Sequence, residues 1–322
     1  MDLSVIIVSF NVRELLRVCL RSVYASGERA DGRDLALEVI VVDSASGDGS
    51  TEMVAREFPD VRLLAQTTNV GFTKGNNIGI EASRGRYMLL LNPDTEVDAS
   101  ALPAMVDYMD AHPDVGALGP RLFYPDGTTQ SSRRRFPTLA TGFLESTILQ
   151  RYWRDNAVLR RYYCSDLPID RAHEVDWVVG AALLVRRKAT DQVGPMDEGY
   201  FMYSEEMDWC YRIKKAGWRM IYLPDARIIH YEGKSSEQHL ARRNIHFHES
   251  KCRFFAKNYG PWQGALLRAF IFLTFLFQVV EESAKLVLRP RDRERRRRWL
   301  GVLLAVVRYQ AGRLVGLRPR VP

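Results

Sequence analysis

Cysteine is scarce in this 322-residue chain: Cys19, Cys164, Cys210 and Cys252 lie far apart and form no C-x-x-C pair. That spacing excludes a zinc-finger ligand set and a disulfide framework, and it fits reduced thiols in the cytosol. Two glycine patterns are missing as well. The chain has no G-x-G-x-x-G dinucleotide fingerprint and no G-x-x-x-x-G-K-[ST] phosphate loop, so a dinucleotide-dependent oxidoreductase loses its main sequence support. No repeat or low-complexity tract occurs. No basic leader with a cleavage site precedes the strand-like Leu3-Ser4-Val5-Ile6-Ile7-Val8, so no signal peptide is expected. Residues 269–280 are free of charge, but twelve residues fall short of the roughly 20 that a membrane span needs, and no crossing is expected.

Charge of one sign is also lacking over most of the chain. The net charge is +7, yet residues 281–322 hold 12 Lys or Arg against four Asp or Glu. Residues 1–280 are therefore slightly acidic, which argues against a nucleic-acid partner. What is present is a globular composition, 46% apolar and 26% charged. The length suits one large α/β domain with an appendage.

Through the first 120 residues, short β-branched runs alternate with helical stretches, the pattern of βαβ units and a largely parallel sheet. Strands are expected at 5–10, 38–42, 61–65 and 86–91, with a helix at 12–24. Polar residues stand where these strands end: Asn11, Asp43, and Asn92 with Asp94. Parallel strand ends share one edge, so these groups are expected to converge on one crevice. Residues 125–171, with Arg133-Arg134-Arg135, lose the pattern and read as a flap or insertion. Regular structure resumes near 175–182, followed by an acidic helix over 204–216 and a strand around 227–230.

Each polar cluster has a plain alternative. Asn92-Pro93-Asp94 is either a metal-diphosphate site or a turn. Asp43 is read as a ligand for a base or ribose, and Asp48 with Ser50 as a helix cap. Gly71 and the glycines after it permit close approach to a ligand, while Lys74 either meets phosphate or is solvated. Glu205, Glu206 and Asp208 are more carboxylates than a helix start requires, and with Phe201, Tyr203 and Trp209 nearby they suggest a buried general base. His230 is a metal ligand or an ordinary strand-end histidine. Trp177 is a sugar platform or a core aromatic.

Taken together, Val8-Ser9-Phe10-Asn11, Val41-Val42-Asp43-Ser44, Asn69-x-Gly71-Phe72-x-x-Gly75-x-Asn77, Leu91-Asn92-Pro93-Asp94, Trp177-x-x-Gly180-Ala181, Phe201-Met202-Tyr203-Ser204-Glu205-Glu206-x-Asp208 and His230 resemble the inverting family 2 glycosyltransferases. The resemblance is to their bacterial rhamnosyltransferase-like branch and covers roughly residues 1–260. It implies a GT-A fold, with a nucleotide-sugar half over 1–124, the flap over 125–171 and an acceptor half over 172–260. It also implies a nucleoside diphosphate sugar donor, dTDP-rhamnose first and a UDP-sugar second, and a divalent cation, Mg²⁺ or Mn²⁺. By the same resemblance, Ser9, Asn11, Asp43, Gly71, Lys74, Asn77, Asn92 and Asp94 bind the donor, and Asp94 and His230 hold the metal. Asn92 stands where many relatives carry the first aspartate of an Asp-x-Asp motif. Trp177, Gly180 and Ala181 face the acceptor. Glu206 is the base with Glu205 as its positioning neighbour, where relatives usually carry Glu-Asp. Asp208 and Arg212, at i, i+4, form a supporting ion pair.

Residues 261–322 form a helical tail in which apolar stretches flank the basic residues 289–298. It reads as a monotopic anchor on the cytoplasmic face of a bacterial inner membrane, which suggests a lipid-linked glycan acceptor. The alternative is a helix pair for homo-oligomerisation.

Overall fold

The computed structural model describes residues 1–27, 34–231, 240–288 and 293–317. Glu232 and Gly233 after His230, residues 289–292 of the basic stretch and residues 318–322 of the tail lie outside the described residues.

The chain opens with β1 (Leu3–Ser9), in which all seven residues are buried. Alternation sends Leu3, Val5 and Ile7 to one face and Ile6 and Val8 to the other. Helix α1 (Arg13–Ala25) covers the first face with Leu16, Cys19, Leu20 and Val23, spaced three and four apart on one stripe. There follow β2 (Leu37–Asp43), α2 (Ser50–Glu57), β3 (Arg62–Ala65), α3 (Phe72–Ala82) and β4 (Tyr87–Leu91). β1, β2, β3 and β4 pair in parallel, with Ser9 beside Asp43, Asp43 beside Ala65 and Ile7 beside Leu91. β1 and β4 are buried throughout and β2 over most of its length, which is why these three read as apolar runs, whereas the edge strand β3 stays partly exposed.

Helix α3 lies on the opposite face at close range. A Cβ at Gly75 would come within 2.8 Å of Val8, and one at Gly79 within 2.3 Å of Ile6. These glycines let helix meet strand, which corrects the expectation that they let backbone meet a ligand.

Next come β5 (Thr95–Val97), α4 (Ala101–Ala111), β6 (Val115–Phe123) and β7 (Arg133–Arg134). Three short helices, α5 (Leu139–Leu144), α6 (Ile148–Tyr152) and α7 (Ala157–Tyr162), occupy the stretch read as a flap. They precede β8 (His173–Glu174), β9 (Trp177–Val178), β10 (Ala182–Arg186), α8 (Arg187–Val193), α9 (Glu205–Lys215) and β11 (Arg219–His230). The main sheet runs β3-β2-β1-β4-β10-β6-β11-β5, with β8 beside β11, and β7 and β9 form a separate ribbon. β10 is antiparallel to β4, with Ala182 opposite Leu91, and β5 is antiparallel to β11, with Thr95 opposite His230. This mixed half brings the loop after β4, the loop before β10 and the end of β11 together.

The contacts divide the chain into two compact units. The first contains Met1–Phe136, Tyr163–Phe201 and Glu205–Ser235, and hence the whole sheet. The second joins Pro137–Tyr162 and Met202–Ser204 to Ser236–Pro322. Its long helices are α10 (Leu240–Asn258), α11 (Pro261–Leu288) and α12 (Arg293–Leu314). Within this unit the buried Lys251 Nζ donates to Glu145 Oε2 at 2.8 Å and to the Glu145 carbonyl at 2.5 Å, tying α10 to the end of α5. Burial works to raise the Glu145 carboxyl, but the lysine charge and hydrogen bonds outweigh it and hold the group below its ordinary value.

The twelve-residue charge-free run proves to be the middle of α11, a 28-residue helix with a mean hydropathy of 1.7 over its most apolar 18 residues. By length and composition it could cross a membrane, so the length argument against a span falls. A core helix passes the same test. Here, however, Trp262, Leu266, Leu273, Phe277 and Val280 are exposed.

Candidate active site

The site lies in the first unit, at the rim where β1, β2 and β4 end. Ser9 and Asp43 sit side by side in register, both buried. One Asp43 oxygen accepts from the Ser46 N–H at 2.8 Å and so shapes the loop that follows. Its other oxygen, with the Ser9 and Ser44 hydroxyls, is buried without a partner among the described residues. Buried polar atoms are nearly always paired, so three orphans in one corner mark a place where a polar ligand is expected.

Asn11 plays a different part. It takes a left-handed conformation (φ 53°), accepts from the Gly47 N–H at 2.8 Å and donates its own N–H to Ser46 Oγ at 2.9 Å. Its side-chain oxygen is thus committed to the loop, and it shapes the corner rather than presenting that oxygen to a ligand. Asp48 accepts from the Arg13 N–H at the start of α1 and from the Ser50 N–H at the start of α2, the capping duty its position suggested.

After β4 the backbone turns inward. Asn92 N–H donates to the Ala181 carbonyl at 2.9 Å, and Tyr231 N–H donates to the Asp94 carbonyl at 2.9 Å. Asp94 is thereby buried beside His230, whose Nε2 lies 3.4 Å from Asp94 Oδ1 and 3.3 Å from Asn92 Nδ2. His230 Nδ1 lies 2.9 Å from Gln130 Oε1, and Asn92 Oδ1 is buried without a partner among the described residues. Among the described residues, no group of three or more His, Cys, Asp or Glu side chains is arranged to hold a metal ion. One carboxylate, one imidazole nitrogen and one amide oxygen nevertheless form a donor set that fits a Mg²⁺ or Mn²⁺ ion completed by substrate phosphates.

The second cluster stands at the start of α9, and the two residues before it, Tyr203 and Ser204, have positive φ (70° and 64°), an unusual conformation for side-chain-bearing residues. Helix α9 then starts at Glu205. Glu205 is 3% exposed, and both it and Glu206 leave Oε2 buried without a partner among the described residues. The other Glu206 oxygen faces the Gly180 N–H at 3.4 Å. Burial raises the Glu205 carboxyl well above its ordinary value, and the neighbouring Glu206 charge adds to the effect. Burial also raises Glu206, opposed by backbone N–H groups, including that of Gly180, and by the Arg134 charge. A buried carboxylate with a raised pKa and one free oxygen is equipped to take a proton. Asp208 is fully buried and pairs with Arg212 at 3.1 Å, and Arg212 also donates to the Val193 and Pro195 carbonyls at 2.7 Å each.

Several expected ligand residues are committed to the protein itself. The Asn77 amide donates to the Met196 carbonyl at 2.9 Å and accepts from the Met196 N–H at 3.0 Å, and so clamps the 194–200 loop. Gly71 (φ 80°) has its Cβ space filled by the Phe201 ring at 2.8 Å, so its close neighbour is this chain. Trp177 is buried and donates its indole N–H to the Arg135 carbonyl at 3.1 Å, the core-aromatic alternative. Lys74 is exposed, and so is Phe201, expected to help bury the acidic cluster. Gly180 and Ala181 stay at the rim through their contacts with Glu206 and Asn92. Gln130 escaped notice in the sequence and Arg134 was noted only within the arginine triplet of the flap, since both lie in the stretch without periodicity.

A family model described as glycosyl transferase family 2 matches residues 4–168. The chain belongs to this family. It is 33% identical over 245 residues to an N-acetylglucosaminyl-diphospho-decaprenol L-rhamnosyltransferase of Mycobacterium tuberculosis, covering 72% of this chain and 78% of that one. It is 30% identical over 171 residues to the rhamnosyltransferase WbbL of Escherichia coli, covering 50% of this chain and 61% of that one. Among solved structures it is similar to a mannosyltransferase of Pyrobaculum calidifontis in complex with GDP-Man and Mn²⁺, with a TM-score of 0.55, 17% identity and coverage of 98% and 87%. The enzyme is thus a rhamnosyltransferase-like glycosyltransferase of GT-A architecture.

Proposed function

We propose that this enzyme transfers rhamnose from dTDP-rhamnose, with inversion, to a hydroxyl of a lipid-linked glycan at the cytoplasmic face of a bacterial membrane, in cell-wall or surface-polysaccharide synthesis. The observation that carries the reading is the Glu205–Glu206 pair, Glu205 buried and Glu206 half-buried, with an unpartnered buried oxygen on Glu206. The activity for which the mycobacterial relative is named supports the sugar and the polyprenyl-diphosphate type of acceptor.

In this mechanism the Asp43 corner holds the nucleoside, and Asp94, His230 and Asn92 are the residues that would hold a divalent cation. The cation supplies Lewis-acid stabilisation of the charge on the departing diphosphate. Glu206 takes the proton of the acceptor hydroxyl as that oxygen bonds to the anomeric carbon from the face opposite the diphosphate, whose C–O bond breaks. Glu205 supports Glu206 from the interior. The Gly180 N–H orients the base through its other oxygen.

The tail is assigned to the membrane. The exposed apolar side chains of α11 suit the acyl boundary, and the basic residues at the start of α12 suit anionic headgroups, at about 1 kcal/mol each near such a surface.

The test is melting of the purified protein with dTDP and with UDP, each with and without Mn²⁺. A ligand at about 100 times its dissociation constant adds roughly 2.7 kcal/mol, enough to move the melting temperature by several degrees. A Mn²⁺-dependent shift with dTDP that is lost in Asp94→Ala is expected. A shift with UDP alone replaces the donor, and no shift with either nucleotide removes the site assignment.

A further inference from the structure

Gln130 lies a hundred residues from His230 in sequence, yet its Oε1 is 2.9 Å from His230 Nδ1 and both side chains are buried. An amide oxygen can only accept a hydrogen bond, so Nδ1 carries the proton. A neutral imidazole has a single N–H, which leaves Nε2 as a bare lone pair. That nitrogen is the one facing Asp94 and Asn92; in the metal-free protein Asn92 Nδ2 at 3.3 Å donates to it, a hydrogen bond that a cation would replace.

Gln130 is itself fixed in place. The turn after β6 closes through Tyr124 N–H to the Thr128 carbonyl at 2.8 Å and Gly127 N–H to the Tyr124 carbonyl at 2.9 Å, with Gly127 at φ 81°. Gln130 N–H then donates to the Leu122 carbonyl at 2.8 Å. The hairpin thus delivers the side chain to the histidine without depending on any ligand.

We infer that Gln130 is a positioning residue that holds His230 in the Nδ1–H tautomer and keeps Nε2 available to the divalent cation beside Asp94. This rests on the cation reading of the proposed function. The opposite tautomer would aim an N–H at the Asp94 carboxylate and close the site to metal. Partners that fix a ligating histidine commonly change metal affinity by about 10–100-fold when removed.

The experiment has two independent readouts. The first is ¹⁵N NMR of the imidazole in metal-free protein at alkaline pH, where wild type is expected to show the Nδ1–H form and Gln130→Leu a mixture or the Nε2–H form. The second is Mn²⁺ affinity by electron paramagnetic resonance, expected to fall about 10–100-fold in Gln130→Leu and to be retained in Gln130→Glu, whose carboxylate still accepts from Nδ1. An Nε2–H tautomer in wild type overturns the inference, as does unchanged Mn²⁺ affinity in a folded Gln130→Leu when Asp94→Ala abolishes binding. Wild type that binds no Mn²⁺ overturns the cation reading, and the metal role of Gln130 falls with it. In that event the tautomer readout still shows whether the hydrogen bond exists.

Discussion

Helix α3 and helix α9 are entered through stretches that look alike in sequence, both dense in polar and glycine or aromatic residues, yet they are put to opposite uses. At the α3 entrance the asparagines close on the protein: Asn69 Oδ1 accepts from the Gly71 N–H, Asn76 donates to the Phe72 carbonyl, and Asn77 clamps Met196 at both ends. At the α9 entrance, Glu205 and Glu206 each leave an oxygen buried and unpartnered among the described residues. Buried polar atoms are nearly always paired, so each unpaired one asks for an explanation, and Thr73 Oγ1 in the first turn of α3 is also buried without a partner among the described residues. The difference is invisible in residue type and depends on where the hydrogen bonds go.

The comparison breaks first at Glu206. Glu206→Gln keeps the shape of the site and removes the proposed proton acceptor, so turnover should fall about 10²–10⁴-fold while the nucleotide-induced melting shift is retained. Steady-state kinetics with melting in parallel decides the matter. If Glu205→Gln abolishes turnover and Glu206→Gln spares it, the two carboxylates exchange roles.

The α3 side predicts the converse. Asn77→Leu strands the buried N–H and carbonyl of Met196, at a cost of about 1–3 kcal/mol, which should lower the melting temperature by several degrees. If Asn77 instead touched the donor, the variant would raise the KM for nucleotide sugar without a matching loss of stability.

These contrasts show what the sequence could convey. Buried parallel strands announce themselves as apolar runs, and β1, β2, β3 and β4 were expected within about two residues of their observed ends. An apolar run carries no direction, however, so the antiparallel course of β10 was not legible in Ala182–Arg186. β11 extends back to Arg219, but Pro224 and Asp225 interrupt its pattern where the register shifts between Leu223 and Arg227. The two-residue strands β7, β8 and β9 are too short for any period. Within the site, Asp43, Asp94, His230 and the Glu pair could be found because unusual residue types stand at strand or helix ends. Gln130 and Arg134 could not, because their significance lies in contacts made across the sheet.

A smaller effect is expected at Glu205. Burial raises its carboxyl, so between the ordinary carboxylate value and the raised one the folded state holds a proton that the unfolded chain has released, and stability falls as pH rises. Glu205→Gln removes this liability. It should melt at higher temperature than wild type at neutral pH, and the advantage should vanish at pH below the ordinary carboxylate range. A variant that melts lower at neutral pH would place Glu205 with the satisfied groups of α3.

The smallest effect belongs to Arg134, whose charge acts on Glu206, the proposed base. Its positive charge opposes the rise that burial imposes on Glu206. The base works when deprotonated, so kcat should decline as pH falls through the raised Glu206 value, above the ordinary carboxylate range. In Arg134→Gln the opposing charge is gone, the carboxyl rises further, and this acid limb should move to higher pH while kcat at alkaline pH is preserved. Arg134 Nη1 also donates to Ser131 Oγ and to the Arg133 carbonyl, so part of any loss in stability reports those bonds. The pH profile separates the two roles, because a purely structural arginine would lower kcat at every pH and leave the limb where it was.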